Sequence, residues 1–439
     1  MEIHLVFAML GIIIVLGFIG DLVFRRTNIP DVVWLIFFGA LIGPGLGLVS
    51  SATLSAVAPI FTTFALIFIL FEGALHLKIK EIFKGVYRGS TLALVNYIVS
   101  VIVVGAIALF FGFTLIQSLV LGAILGGTSS AVVIPIMKKI NTSKPTVSSL
   151  TVESAVSDVL CIVGTLAILK IHLLGSLNVP TFLNGLFDVF VVSLFIGAVA
   201  GFLWLKLLKK LNPYAKSYMI TIAFMLLLFS FTEYVGSNGA MACLAYGLVL
   251  GNSRKVLEAA GDGEVTGPTI KAPEMFFYEE ISFLVKTFFF VYIGILLPVT
   301  SILPYLIAGV IVVALYLARP ISTMALGDKF NFDERAIVDS LIPKGLAAAV
   351  LVQVAAQDGI GETALLSSVV MATILISILA STIFVFLAER KKFNGLTNIY
   401  RRKIFKKEDA PFCSFPQKDS QTKGPAPSEK LKKPADRPK

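Results

Sequence analysis

Charge is what this sequence has least of. Only 15% of its 439 residues are Asp, Glu, Lys or Arg, against 56% hydrophobic, where a soluble domain carries about 25% charged residues. With a mean hydropathy of +0.89, a soluble globular chain is excluded and a polytopic all-α membrane protein is expected. Cysteine and histidine are scarce too. Cys161, Cys243 and Cys413, like His4, His76 and His172, are scattered. Such spacing excludes a disulfide framework and a zinc site, and no cofactor motif is present. Gly126-Gly127-Thr128-Ser129 lacks the lysine and the spacing of a phosphate-binding loop. The apolar run 3–24 is too long for a cleaved leader and has no small-residue cleavage site, so it reads as a first crossing.

What is there is a series of about thirteen apolar spans of crossing length. They run over 3–24, 31–48, 57–76, 90–112, 115–137, 148–172, 181–205, 218–235, 237–252, 275–298, 302–326, 335–356 and 363–388. The net charge of +10 could suggest nucleic acid, but the placement of the basic residues excludes it. With the C-terminus taken as cytoplasmic, one set of loops holds Arg25, Arg26, Lys78, Lys80, Lys84, Arg88, Lys138, Lys139 and Lys144. The same side holds Lys206, Lys209, Lys210, Lys216, Arg254, Lys255, Lys271, Lys329 and Arg335, and the opposite loops hold Lys170 alone. This positive-inside asymmetry predicts a cell-membrane protein with its N-terminus outside. The tail 390–439, rich in Lys, Pro, Ser and Asp, is expected to be disordered and cytoplasmic. Its basic start, Arg401-Arg402-Lys403 and Lys406-Lys407, either rests on anionic lipid headgroups or anchors the last helix.

Two spans are interrupted where a membrane helix should be most apolar. The fifth carries Gly126-Gly127-Thr128-Ser129-Ser130 and Pro135; the twelfth carries Ile342-Pro343-Lys344-Gly345. A short internal match relates Phe71-Glu72-Gly73 in span 3 to Tyr292-Ile293-Gly294 in span 10. That offset pairs span 5 with 12 and 6 with 13, and an offset of seven spans inverts each unit. Inverted repeats with paired broken helices are a transporter architecture.

The chemistry-bearing residues gather near those breaks. Span 6 holds two acids, Glu153 and Asp158. At 100° per residue Ser154 shares the face of Asp158, whereas Glu153 points about 140° away. Asp158, Ser154, Ser157 and the hydroxyl and freed carbonyls near Thr128 are hard oxygen ligands, suited to a small monovalent cation. An acid at a span centre costs about 2.5–3.5 kcal/mol on insertion scales, which argues for use rather than accident. Removing a carboxylate from water favours its neutral form, so proton and cation compete for one group. Arg319, the arginine embedded in a span, is expected to pair with Glu153 as a structural core bridge; the rival reading makes it a moving charge. Glu72 either enters the cation site, lines the way to it, or snorkels at the interface. Asp339 and Lys344 either pair or cap the break, and Lys286 is expected to snorkel. Ser340 and Lys344, four apart, mimic a Ser/Lys dyad, the basis of a remote intramembrane-hydrolase reading.

At these residues the sequence resembles the cation/proton antiporter superfamily, nearest the archaeal NhaP-type sodium/proton exchangers. The resemblance covers roughly 5–390 and rests on Phe71-Glu72-Gly73, Gly127-Thr128-Ser129-Ser130, Glu153-Ser154-Ala155-Val156-Ser157-Asp158, Ala318-Arg319-Pro320 and Pro343-Lys344-Gly345. It implies a fold of thirteen spans with two crossed broken helices, a homodimer, and elevator-like alternating access. It implies an exchanger domain over 1–389, with a core near 57–173 and 275–389 and the remaining spans as dimerisation scaffold. By motif, Asp158 becomes the shared cation and proton carboxylate, Thr128, Ser154 and Glu72 its co-ligands, and Glu153 with Arg319 the core pair. Two departures stand out. Ser157 replaces the Asn or Asp that precedes the essential Asp in many relatives. Ser129 replaces an Asp frequent in sodium-selective members and is similar to the potassium-transporting branch. The expectation is electroneutral Na+/H+ exchange, with Li+ admissible and K+/H+ exchange as the alternative, by a transporter in lipid that is not an enzyme.

Overall fold

The computed structural model describes residues 3–27, 30–47, 58–76, 79–140, 142–174, 179–211, 217–261, 270, 272–297, 301–326, 330–357, 360 and 363–389. The expectations for the tail, 390–439, lie outside the described residues. Sixteen α-helices and one π-helical turn are found among them. The first half holds α1 (Ile3–Thr27), α2 (Asp31–Ala40, continued by the π turn Leu41–Gly45), α3 (Ala58–His76), α4 (Ile79–Phe110), α5 (Leu115–Ile124), α6 (Ser130–Lys139), α7 (Lys144–Leu174) and α8 (Val179–Leu211). The second holds α9 (Ser217–Tyr234), α10 (Gly239–Gly251), α11 (Ser253–Ala259), α12 (Ala272–Ile295), α13 (Leu303–Met324), α14 (Phe332–Ser340), α15 (Leu346–Gln357) and α16 (Thr363–Glu389). Taking α5/α6 and α14/α15 each as one interrupted crossing, and α11 as too short to cross, the described helices make thirteen crossings. Five hold continuous apolar stretches long enough to span by themselves: Tyr87–Phe110, Lys144–Leu169, Val191–Leu208, Leu303–Met324 and Ala364–Glu389.

The outside of the bundle is apolar and the polar groups are inside. Phe110, Phe195 and Leu227 are exposed, whereas Glu153, Arg319 and Lys344 are each 1% exposed. That inversion of the soluble pattern places lipid on the outer face, because a charge turned toward hydrocarbon would go unsolvated.

Both interrupted crossings begin and end in the same way. Thr114 caps α5 with a reciprocal box to Gln117, and Asn331 caps α14 with a box to Glu334. These boxes satisfy the first free N–H groups of each half-helix. Each half-helix then runs ten and nine residues and stops, at Leu125 and at Leu341. Glycine is required in the first gap for close approach: a Cβ on Gly127 would stand 2.7 Å from Cys161 Sγ and 3.0 Å from Ser157 O. In the second gap, a Cβ on Gly345 would strike Ser129 Oγ, so the two breaks touch.

Packing groups the helices around these breaks. α4, α5, α6 and α7 pack together and against α13, which with α14 and α15 packs on α16. Elsewhere, α3 packs on α10, α10 on α8, and α12 on α2. The α3/α10 and α12/α2 pairs are equivalent under the seven-span inversion. Both close to backbone contact through glycine: Gly247 and Gly251 lie on the Phe71 and Leu75 carbonyls, and Gly39 and Gly294 on Val291 and Ile36. A second apolar cluster fills the α3 side, with Phe71 stacked on Tyr246 at 5.6 Å and Trp204 on Phe224 at 4.5 Å.

Candidate cation and proton site at the crossing of the broken helices

The two breaks are stitched directly. The Ser129 N–H donates to Pro343 O at 2.7 Å. The Lys344 ammonium donates to Gly127 O at 2.8 Å. Lys344 therefore caps a carbonyl of the opposite break, and its described partner is not Asp339. Each gap also borrows a serine from the helix that follows it: the Thr128 N–H donates to Ser157 Oγ at 3.0 Å, and the Lys344 N–H to Ser377 Oγ at 2.9 Å. The interruption frees backbone groups, and buried ones must find partners; serines at matching places in the two repeats supply them. Tyr316 and Ser381 complete the second gap, Tyr316 OH donating to Ser340 O at 3.2 Å and Ser381 Oγ accepting from the Ile342 N–H at 3.3 Å.

Asp158 faces the start of α6. Its Oδ2 accepts from Ser130 Oγ at 2.8 Å. Ser129, the N-cap residue, makes no side-chain cap bond. Asp158 of α7 thus reaches across the helix interface to the first residue of α6, beside the positive end of that helix's dipole. Asp158 is only part-buried, and among the described residues no basic side chain pairs with it.

The other predicted residues divide into those at this centre and those elsewhere. Thr128, 2% exposed, sits beside it with Oγ1 3.2 Å from Ser157 Oγ. Ser157 is fully buried in that network, and Ser154, one turn before Asp158, donates its hydroxyl back to Thr151 O at 3.0 Å. The freed carbonyls are partly taken by the protein: Gly127 O by Lys344, and Gly126 O by Asn96 Nδ2 at 3.5 Å.

Glu153 is on the far side of α7, in a bidentate pair with Arg319. Nη1 donates to Oε1 and Nη2 to Oε2, the latter at 2.9 Å. Arg319 Nε and Nη2 also donate to Val338 O at 3.2 and 3.1 Å, so the arginine caps the C-terminal end of α14 as well. Asp339 is on the same α14 end, one residue beyond Val338.

Glu72 belongs to a separate cluster between α3 and α12. It accepts from Ser282 Oγ at 3.1 Å and lies 3.2 Å from His76 Nε2 and 3.5 Å from Lys286 Nζ. Lys286, expected to snorkel, spends its ammonium on this acid; α12 passes close enough to α3 for the pair to form. His76 reaches Glu279 as well, at 3.4 Å. The Ser340/Lys344 dyad does not assemble, since Ser340 Oγ donates to Ala336 O at 2.6 Å and Lys344 is held on Gly127 O.

Sequence reasoning gave Ser130 no role of its own and passed over Asn96 and the Ser377/Ser381 pair. Signals existed: a third hydroxyl after Thr128-Ser129, an amide inside span 4, and two serines four residues apart in span 13.

A partly accessible carboxylate at the contact of two inverted broken helices, with a sealed ion pair behind it, defines a secondary transporter of the crossed-helix class. The sodium/hydrogen exchanger transmembrane family matches residues 11–390. The chain belongs to that family; it is a multi-pass membrane transporter and not an enzyme. Among similar proteins, the Na(+)/H(+) antiporter 1 of Methanocaldococcus jannaschii is 29% identical over 374 residues, covering 80% of this chain and 83% of that protein. The K(+)/H(+) antiporter NhaP of Alkalimonas amylolytica is 24% identical over 346 residues, covering 75% of this chain but only 56% of that longer protein. The solved sodium proton antiporter MjNhaP1 from Methanocaldococcus jannaschii at pH 8 superposes with a TM-score of 0.74 at 21% identity, covering 89% of this chain and 99% of that one. That likeness establishes the shared fold.

Proposed function

We propose that this chain exchanges a monovalent cation, sodium foremost, for a proton, with both ions taking turns on Asp158. The observation that carries this reading is the placement of Asp158: part-buried, without a basic partner among the described residues, on the first residue of α6 next to the Ser129 that touches the second break. A free carboxylate there is neutralised either by a proton or by a cation with Thr128, Ser154 and Ser157 oxygens nearby. Only the neutralised site crosses the barrier, so the carrier is loaded in both directions. Glu153 with Arg319, and Lys344 on Gly127 O, hold their charges in place throughout. One exchangeable carboxylate gives 1:1, electroneutral exchange, with no cofactor required.

Potassium is the second reading. Ser129 stands where an acidic residue would strengthen a sodium site, and a K(+)/H(+) antiporter is among the similar proteins. Proton flux in proteoliposomes under Na+, Li+ and K+ gradients decides between them. A response to K+ alone would overturn sodium as cargo, and flux without counter-flux would overturn exchange.

The moving core in this proposal comprises α4–α7 and α13–α16, the helices packed around the breaks. The scaffold, through which two copies would dimerise, comprises α1–α3 and α8–α12. This boundary is narrower than the 57–173 and 275–389 expected from sequence, because α3 and α12 pack on α10 and α2. Glu72 then stands at the scaffold's edge and lines the approach. The N-terminus faces outside and the C-terminus the cytoplasm of the cell membrane. Single cysteines at Ser51 and Lys210 in a Cys-free background test this; labelling of both from one side would sink it.

A further inference from the structure

The breaks and the Glu72 cluster each keep their polar contacts within one body. Ser129 to Pro343, Lys344 to Gly127 and Arg319 to Glu153 join helices of the core, and Glu72 to Ser282 and Lys286 joins helices of the scaffold. Lys139 crosses between the two. It is the last residue of α6, in the core, and its ammonium donates to the backbone carbonyl of Phe24 near the end of α1, in the scaffold. The same ammonium stands 3.5 Å from the centre of the Phe24 ring. We propose that Lys139 is a cytoplasmic latch: it grips the end of α1, holds the moving core in one of its positions, and lets go each time the core moves. This rests on the division into core and scaffold proposed above and deepens it.

The end of α1 is a place to grip. The last four carbonyls of a helix have no partner within it, and α1 ends at Thr27, so the Phe24 carbonyl is one of those four. They also form the negative end of the helix dipole, where a cation is favoured. Lys139 supplies both donor and charge, and the face of the Phe24 ring attracts the same cation.

Elsewhere along the boundary the packing has little direction. α15 packs on α3 and α16 on α2. α15 carries no charged residue, and α16 only Glu389 at its end. Apolar packing is non-directional, so such surfaces can slide and re-form after a shift. A donor on a single carbonyl cannot, because a displacement of one helical turn, about 5.4 Å, takes it out of hydrogen-bond range. The latch is therefore made in one position and lost in the other, the differential contact that a two-position device requires. It is also weak enough to release. Lys139 is exposed, so water receives the freed ammonium. A cavity of about 80 Å³ between α6 and α16, with Lys139 on its wall, leaves the side chain room to withdraw.

The test uses the full chain in a Cys-free background, in proteoliposomes driven by a Na+ gradient. Phe24→Cys with Lys139→Cys, joined by a short bifunctional methanethiosulfonate, should lose exchange and regain it when the link is reduced. Either cysteine alone, treated alike, should keep it. Exchange that persists after complete linking overturns the inference, because α1 and α6 would then move together. Spin labels at Leu22→Cys on α1 and Ile383→Cys on α16, both exposed, read the positions without altering the latch. In that pair, Lys139→Met should lower the population of the latched distance relative to the other about fivefold, as for one partly screened charged contact. Lys139→Arg keeps charge and donor and should restore the wild-type ratio. Two distances whose ratio ignores Lys139→Met overturn the latch alone. One unchanging distance in wild type, with exchange running, removes the moving-core reading and the latch with it, whereas exchange surviving in Asp158→Asn strikes only the Asp158 reading.

Discussion

Two carboxylates on α7, five residues apart, have opposite surroundings. Glu153 is 1% exposed and meets a guanidinium through both oxygens. Asp158 is part-buried and meets a hydroxyl and the end of a helix. Removing a charge from water costs several kcal/mol unless a counter-charge and hydrogen bonds are supplied. Glu153 has both, so its place is fixed. Asp158 has only a neutral hydroxyl donor among the described residues, which is why the proposed exchange puts the arriving ion there. The comparison teaches that two acids on one helix, five residues apart, are told apart by their partners.

The strongest way to break the comparison is to remove the exchangeable charge. Asp158→Asn keeps the shape and can still hydrogen-bond, but it can neither lose a proton nor neutralise a cation. Coupled exchange should vanish in proteoliposomes, with folding intact because a neutral amide is cheaper to bury than a charge. In wild type, apparent cation affinity should fall about tenfold for each pH unit below the point where Asp158 titrates, by one-site linkage. Affinity flat across acidic pH would move the search to Glu72.

Breaking the fixed charge should cost stability before transport. Arg319→Ala leaves Glu153 buried and alone and removes the cap from Val338 O, which should cost about 3–5 kcal/mol. Adding Glu153→Gln should recover much of it and retain some exchange. A double variant no more stable than the single in thermal denaturation would mean the pair contributes nothing.

The contact between the breaks is tested by Gly345→Ala, which presses a methyl onto Ser129 Oγ. Overpacking of this kind costs about 1–3 kcal/mol. Exchange should slow alongside a lower melting temperature; unchanged values of both would show that the gap relaxes freely.

The smallest effects are expected at the periphery. Ser154→Ala should raise the cation KM by roughly a few-fold, as for one lost neutral ligand, with little change in maximal rate. Glu72→Gln should also leave exchange running, because its oxygens are engaged by Ser282, His76 and Lys286. Complete loss in Glu72→Gln would place it in the cation site after all.

Composition and spacing determined much of this protein on their own. The apolar spans marked the crossings because no other segment of such length can satisfy its backbone in lipid. Gly126-Gly127 and Pro343 marked the breaks, since these residues interrupt helices for local steric reasons. The angular separation of Glu153 from Asp158 was already a property of helix geometry.

What the tertiary structure alone decided is which atoms meet. Nothing local to Lys344 says that its ammonium crosses to Gly127 O, 217 residues away. Nor does Ser130 announce that it faces an acid on the next helix, or Lys286 that it reaches Glu72. Those contacts depend on the angle and depth at which separate helices pack. Burial then settles which charge is sealed and which stays open, because solvation in a bilayer is a property of the assembled bundle and not of any one span.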